Sequence, residues 1–449
     1  MIEVLRYYPE IRKYKSDLNR VSGTRTGILN QSQYFVYNHM QDVHLKSITG
    51  DLPSYHNQFI AENAEVSYHI MGYGLSYEES LPRYLGESIE RYAAVTGHKL
   101  LEEDVIFASY NELEKKAKVI PFEYIQVFSD SQMKNESYFH DYLQIDQLTK
   151  DDVLGWIKCP SMFGDTDIYV PAQMFFVGYV PNKVHKEKGY RIGFSTGTAA
   201  HRYKEKALYN AVIEYLQIDS FILSWYTKKK CKRVIIDDVE IKEILDRCNL
   251  GDSSLYEVIV IDMSIDESSP IRTFGTILKN KELEGPYLLF GVQGGLDPKQ
   301  TIIRSIMEAA AISYGYYYNV LYETEEKESE FYDLDSNVVF YSYPTNVHEK
   351  WKVFSELIGA TKMLSEYENN STKDIKSDLQ KVLSYVETVS PLATYYDITP
   401  PELASLDWYV FRVFMPECLE MCLPSVPYAN HPRMKQFGGV SNDNPHPMP

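Results

Sequence analysis

The chain has 449 residues, with 45 Lys and Arg against 63 Asp and Glu for a net charge of −18 at pH 7. Its 44% hydrophobic and 24% charged content is that of a folded soluble chain and excludes a fibrous or wholly disordered protein. The acidic excess argues against general binding to nucleic acid or to an anionic membrane surface.

Cys159, Cys231, Cys248, Cys418 and Cys422 are too few and too irregularly spaced for a disulfide framework. The first twenty residues lack the apolar stretch of a secretory signal, and no apolar run reaches the ~18 residues of a membrane span. The expectation is a reduced, cytoplasmic protein.

Residues 1–65 are polar and weakly periodic, and read as an accessory segment suited to partner docking; residues 66–449 read as the main domain. Strands are expected at 67–71, 122–128, 173–180, 232–237, 256–263 and 287–292, and helices at 78–96, 203–225 and 299–317. Mixed in this order they predict an α+β or α/β fold with a substantial sheet. The stretches ETEEKESE (323–330) and EYENNSTKDIKSD (366–378) read as solvated, and NPHPMP (444–449) as extended.

Three segments carry the chemistry. In HIMGYGLSYEESLPRYLGESIERYAAVTGH (69–98), Leu81, Leu85, Ile89 and Tyr92 form the buried stripe of a helix. Glu87, Glu90 and Arg91 fall on its other side. The plain alternative is a solvated face with a Glu87–Arg91 pair. In RIGFSTGTAAHRYKEKALYNAVIEYLQIDSF (191–221), a Gly/Ser/Thr-rich turn is expected to open a helix and to offer backbone N–H groups to phosphate. Ala207, Leu208, Ala211, Tyr215, Ile218 and Ile222 make its core face, and Asn210, Glu214 and Gln217 a polar stripe. Asp219 falls inside the apolar face and needs a partner there.

The third segment, GVQGGLDPKQTIIRSIMEAAAISYGY (291–316), has Asp297 as N-cap, Pro298 at the first helical position, and Thr301, Arg304, Glu308 and Gly315 on one face. Arg304 precedes Glu308 by four, the less favourable order for a simple surface pair. Three carboxylate-bearing helices after Gly-containing turns suit a site that holds Mg²⁺ between acidic side chains and phosphate oxygens, with arginine gripping phosphate.

The segments LGESIERYAAVTG (85–97), FSTGTAAHRYKEKALYNAVIEYLQIDSF (194–221) and LDPKQTIIRSIMEAA (296–310), with the proline-rich end, resemble the YcaO family, and within it the D-component of streptolysin-type thiazole/oxazole-modified peptide clusters. The resemblance implies a YcaO-type fold with mixed sheets and carboxylate-bearing helices around an ATP site. It implies an enzyme that uses ATP and Mg²⁺ to convert Cys, Ser or Thr of a ribosomal precursor peptide to thiazoline or oxazoline. The side chain attacks the preceding amide, and the amide-derived oxygen is phosphorylated and leaves as phosphate.

Carried over by position, the resemblance implies Glu87, Glu90, Glu214 and Glu308 as metal-binding carboxylates. It implies Ser76, Arg91, Asn210 and Gln217 as further ATP contacts. Arg304 and the carboxylate of Pro449, on a tail stiffened by Pro445 and Pro447, are the expected catalytic groups.

Implied partners are the precursor peptide, a leader-recognising ThiF-like or C-protein, since only about 65 residues precede the domain, and an FMN-dependent dehydrogenase. Tyr73 stands where the family often has lysine, Gln217 and Ile218 where Glu and Arg are frequent, and Ala311 and Ser313 where Gln and Arg are. Arg304 or Arg202 is the expected source of the missing charge. These departures keep a non-catalytic docking scaffold in play, and the resemblance leaves a second alternative, a thioamide-forming enzyme. Cys418 and Cys422 lack a second metal-binding pair, KKKCKR (228–233) reads as a solvated turn, and no G-x-S-x-G is present.

Overall fold

The computed structural model describes residues 11–449 apart from 24–26, 31, 36–42, 54–68, 135–138, 140–142, 144, 314–315, 318–333 and 335. Residues 67–68 of the first expected strand, Gly315 and the stretch 323–330 lie outside the described residues.

The largest sheet has five strands in the order β11-β10-β9-β8-β12: β8 (Cys231–Ile235), β9 (Tyr256–Asp262), β10 (Arg272–Asn280), β11 (Leu288–Gly295) and β12 (Ile358–Met363). All pairs are antiparallel except β8 with β12. Both faces are covered, so successive residues enter different cores. Ile259, Ile261, Ile277, Phe290 and Val292 face one cluster, whereas Val260, Phe274, Leu278 and Leu289 face another. A sheet buried on both sides reads as a continuous apolar run, which is why YEVIVIDM and YLLFGV stand out.

There are also three smaller sheets of three strands among the described residues. One joins β1 (Gln33–Phe35), β2 (Lys46–Asp51) and β3 (His69–Gly74), so residues before 66 pair directly with the strand that precedes the first motif helix. The second joins β4 (Ile106–Ser109), β5 (Val153–Cys159) and β6 (Ile168–Pro171). The third places β14 (Tyr409–Phe414) between β13 (Thr394–Asp397) and β7 (Thr198–His201).

Helix α1 (Ile11–Val21) is tied down by a buried ion pair of Asp17 with Arg202, and Trp408 Nε1 donates to Asp17 Oδ2 at 3.0 Å. Helix α2 (Tyr77–Leu100) packs on β3, and α3 (Lys204–Tyr226) runs through the centre of the molecule. The N-terminal half of α3 lies in the core shared with α2 and β14, and its C-terminal half in the core shared with β9 to β11. Helices α4 (Val239–Arg247) and α5 (Pro298–Ala311) cover the other face of the large sheet.

Several local expectations are corrected. FEYIQVF forms a short 3₁₀ turn, Phe122–Tyr124, after Pro121, although Ile125 and Val127 are fully buried. QMFFVGYV opens as a short helical turn, Ala172–Phe175, entered through Pro171, and Gly178 at φ 69° turns the chain. The FSTGT turn leads into β7, and α3 begins later, after Tyr203, without a side-chain cap. No helix N-terminus is therefore aimed from that turn.

In KKKCKR, Lys228, Lys232 and Arg233 pair with Glu356, Glu267 and Glu257, while Lys229 and Lys230 donate to the backbone oxygens of Ser264 and Glu356. Cys418 and Cys422 are buried in an irregular segment after β14. No described helix is long and apolar enough to cross a membrane.

Candidate active site

The site forms where α2, α3 and α5 meet the open edges of β3 and β11. Ser76 caps α2, its Oγ accepting the Glu79 N–H at 3.3 Å. Leu81, Leu85 and Ile89 are buried as the spacing predicts, which turns Glu87, Glu90 and Arg91 the other way. Glu87 Oε2 accepts the Met71 N–H of β3 at 3.2 Å. Arg91 Nη2 lies 3.8 Å from Glu87 Oε1, and its Nη1 donates to Ser195 Oγ in the FSTGT turn.

Asp297 caps α5 by accepting the Gln300 N–H at 3.1 Å, with Pro298 in the first position. Glu308 Oε2 accepts the Val292 N–H at 2.8 Å. From the other side of β11, Gln217 Nε2 donates to Val292 O at 2.9 Å, and its Oε1 accepts the Gly294 N–H at 2.8 Å. Glutamates on two helices thus each anchor one oxygen on a strand edge, and the second Glu87 oxygen faces Arg91. Gln217 is occupied at both amide ends by β11, so the structure places it as a brace between α3 and the strand.

Two glycines make this closeness possible. A Cβ at Gly72 would lie 2.1 Å from Ser80 O and 2.4 Å from Tyr84 N of α2. One at Gly291 would lie 2.4 Å from Ala309 N and 2.7 Å from Ser305 O of α5. Any larger residue at either position would lift a carboxylate-bearing helix off the strand its glutamate caps.

The carboxylates oppose one another electrostatically. Burial raises the Glu87 carboxyl, with Arg91 and the Met71 N–H acting against it. Burial and then the Glu214 charge push Glu90 well above its ordinary value. Burial pushes Glu214 up to about 7, while Arg91 and Arg412 pull it down and Glu308 and Glu87 add to the rise. Glu308 is likewise pushed up to about 7 by burial, against a hydrogen bond from Gln293 and the charge of Arg304.

Such a set is uncomfortable without a cation. Among the described residues, no three His, Cys, Asp or Glu side chains converge closely enough to enclose an ion alone. The arrangement instead suits Mg²⁺, which is held by one or two carboxylates, water and substrate phosphates. Gln293 Oε1, buried without a partner beside Glu308, is one more oxygen acceptor there. The residues present fit Mg²⁺ and ATP.

Arg304 lies one turn before Glu308 at the exposed rim, within electrostatic reach of Arg83, Tyr73 and Glu308. Tyr73 is pushed up by burial and then by Glu308, and the Arg83 guanidinium sits 5.6 Å over its ring. Asn210 lies one turn before Glu214 on α3 and is half-buried.

Arg202 does not join the cleft; besides Asp17 it donates to Leu406 O at 3.3 Å, so the expectation that it supplies charge there is corrected. Asp219 has the partner its position demands: Arg433 Nε and Nη2 meet its two oxygens at 2.7 and 2.6 Å. Ile218 is buried in the core and faces away from the cleft.

The tail is anchored along the C-terminal half of α3. Trp225 Nε1 donates to Asn444 O at 3.1 Å, Tyr341 OH to Pro445 O at 2.8 Å, and Asn337 Nδ2 to Met448 O at 2.7 Å. His446 is fully buried, which pushes it down to about 4. Pro449 itself is exposed, and among the described residues no hydrogen bond or ion pair joins it to the four glutamates.

Sequence reasoning missed Arg412, which is 1% exposed on β14. It donates to Thr196 O at 2.5 Å, Thr198 Oγ1 at 3.0 Å and Met174 O at 3.2 Å. Its signal was present in YVFRVF, where a cation interrupts an apolar strand. With Arg91 it clamps the FSTGT turn from two sides.

A family profile described as YcaO cyclodehydratase, ATP- and Mg²⁺-binding, matches residues 71–419. An uncharacterized protein of Methanothermobacter thermautotrophicus is 23% identical over 263 residues, 56% of this chain and 58% of that one.

Among solved structures, a heterocyclase in complex with substrate and cofactor superposes with TM-score 0.71 at 17% identity, covering 97% of this chain and 57% of that one. The chain therefore spans less than two thirds of the length of both these relatives. YcaO from Methanopyrus kandleri bound with AMPPCP and Mg²⁺ matches with TM-score 0.63 at 12% identity, over 93% and 94% of the two chains. The E. coli microcin synthetase McbBCD complex with pro-MccB17 bound matches with TM-score 0.63 at 14% identity, over 93% and 96%. With more than half its length matched and three glutamate-bearing helices around one cleft, the chain belongs to the YcaO family of ATP- and Mg²⁺-binding proteins.

Proposed function

We propose that this chain is the ATP-dependent cyclodehydratase subunit that converts Cys, Ser or Thr of a ribosomally made peptide to thiazoline or oxazoline. The observation that carries the reading is the meeting of Glu87, Glu90, Glu214 and Glu308 in one cleft rimmed by Arg91 and Arg304. A scaffold has no use for four mutually repelling, half-buried carboxylates, whose charge is costly unless a cation is bound.

Mg²⁺-ATP, when bound, supplies the phosphoryl group that turns the amide-derived oxygen into a leaving group. The glutamates hold the metal, with Glu87 and Glu308 each fixed by a backbone N–H so that less ordering remains at the moment of reaction. Arg91 and Arg304 face the phosphates, and Ser76 and Asn210 complete the nucleotide contacts. In this reading the residues up to Met448 position Pro449 as the proton acceptor. The tail's ordered anchoring by Asn337, Tyr341 and Trp225 supports a fixed role for it.

A leader-recognising ThiF-like or C-protein delivers the precursor, and an FMN-dependent dehydrogenase oxidises the product. The multi-protein McbBCD neighbour supports working in a complex. The test is incubation of the chain, its partner and precursor with Mg²⁺-ATP, followed by peptide mass and phosphate assay. Loss of one water per phosphate released supports the reading. Complex formation without ATP use supports the scaffold, and a mass change of sulfur for oxygen supports thioamide formation.

A further inference from the structure

Two arginines stand in the same relation to two of the cleft's glutamates. On α2, Arg83 precedes Glu87 by four residues, and on α5, Arg304 precedes Glu308 by four. Residues four apart lie one above the other on a helix face, so each arginine sits one turn from a carboxylate that is anchored on a strand edge. This order is the weaker one for pairing within a helix. Among the described residues neither guanidinium forms an ion pair, whereas Arg91 does, with Glu87.

Arg83 is fixed by one residue of β3. Its Nη1 donates to Tyr73 O, and its guanidinium lies 5.6 Å over the Tyr73 ring. These contacts set the direction of the guanidinium and use only part of its five N–H donors. Glu79, four residues earlier on α2, is engaged elsewhere, its Oε2 accepting the Leu75 N–H at 2.8 Å.

The charge of Arg83 is felt inside the cleft. Burial first, and then the Arg83 guanidinium, pull Arg304 down from its ordinary value, and Arg83 opposes the rise that burial and Glu308 impose on the Tyr73 hydroxyl. Two cations from different helices that repel each other, neither with a carboxylate in ion-pair range, make a place suited to an anion. The rigid fork of a guanidinium matches phosphate oxygens. Metal ions in phosphoryl transfer bridge the outer phosphates, and Glu87 and Glu308, the carboxylates read as holding the metal, are each one turn from an arginine.

We propose that Arg83 binds the outer phosphates of ATP, supplying from α2 the charge that β3 lacks because Tyr73 stands where the family often has lysine. The Tyr73 ring is the platform that holds the guanidinium there. The inference rests on the nucleotide part of the proposed function and deepens it by naming a binding residue. Arg202, committed to Asp17, leaves that role open.

The test is calorimetric titration of the full chain with Mg²⁺-ATP and with AMP, at low and at high KCl, for wild type, Arg83→Met and Arg83→Lys. Arg83→Met keeps an apolar stem and removes the charge. It is expected to weaken Mg²⁺-ATP by about 10–100-fold, the range of a hydrogen bond to a charged group. AMP, which lacks the outer phosphates, keeps its wild-type affinity, and the salt dependence of ATP binding becomes less steep. Arg83→Lys, which restores the charge, recovers most of the loss. Arg83→Gln, which keeps a donor for Tyr73 O, repeats the comparison without charge, and melting temperatures check that each variant is folded.

Wild-type ATP affinity in folded Arg83→Met or Arg83→Gln overturns the proposal. So does an equal loss of ATP and AMP that lysine does not recover, since that is the mark of a residue that only staples α2 to β3. The expected pattern of nucleotide affinities, with no ring formed on precursor by the complete wild-type complex, keeps the Arg83 assignment and overturns the cyclodehydratase reading instead.

Discussion

Gly291→Ala tests whether the closeness of α5 to β11 is what sets the site. The added Cβ would sit 2.4 Å from Ala309 N, and an ordinary contact needs about 3.4 Å, so helix or strand must yield by about 1 Å. Overpacking of this kind costs about 1–3 kcal/mol. At about 2.1 cal/mol/K per residue, unfolding of 449 residues carries about 0.9 kcal/mol/K, so the melting temperature falls by only about 1–3 °C.

The same displacement acts on Glu308, whose oxygen is held at 2.8 Å from the Val292 N of that strand. A 1 Å misplacement of a group that positions a metal-bound phosphate costs about 100-fold in rate. The predicted signature is therefore a folded protein with slightly lowered stability, weakened Mg²⁺-dependent nucleotide binding and about 100-fold lower turnover. Calorimetry, nucleotide titration and the phosphate assay read the three effects. Full turnover in a variant that melts like wild type would refute the reasoning that helix-to-strand contact positions Glu308.

Glu87→Ala removes one of the carboxylates proposed to hold Mg²⁺ and strands the Met71 N–H, and is expected to reduce turnover to background, read by phosphate release, while the chain stays folded. Glu214 and Glu308, raised to about 7, bind more protons in the folded than in the unfolded chain between their ordinary carboxyl values and about 7. Without metal, stability should therefore fall as pH rises through that window and level off above it. Mg²⁺ should raise the melting temperature more at pH 8 than at pH 5, because it takes the place of the protons. A metal-free protein that gains stability from pH 5 to 8 contradicts this.

Arg433→Ala leaves the 1%-exposed Asp219 with only the Leu419 N–H, and should cost about 3 kcal/mol or more in denaturant unfolding. Removing residues 447–449 detaches Met448 from Asn337 and should lower turnover more than nucleotide affinity, measured by parallel titrations.

What could be read from the residues alone follows from where side-chain pattern and burial coincide. Leu81, Leu85 and Ile89 on α2 repeat at helical spacing and are all buried, so the face that carries Glu87 and Glu90 was legible before any coordinates. The same holds for Asp297 and Pro298 at the start of α5. The central helix α3 was harder, because it is buried on nearly every side and its pattern does not reveal which neighbour meets which face.

Gln217 illustrates the loss: its spacing put it with Glu214, but its two bonds to β11 depend on a strand some seventy residues away. QMFFVGYV failed for a local reason, since the chain leaves Pro171 into a helical turn over Ala172–Phe175 and the left-handed Gly178 then redirects it. Arg202 could not be placed from sequence because Asp17, its partner, lies in a segment with no motif of its own.

The central claim is that this chain transfers the phosphoryl group of Mg²⁺-ATP to the amide oxygen preceding a cyclised residue. A precursor peptide labelled with ¹⁸O in that single carbonyl, incubated with the complete complex and Mg²⁺-ATP, tests it directly by mass spectrometry of the released phosphate. The account predicts one ¹⁸O in phosphate for each ring formed, and none with Glu90→Gln. Rings formed with unlabelled phosphate, or ¹⁸O recovered in water, would contradict it.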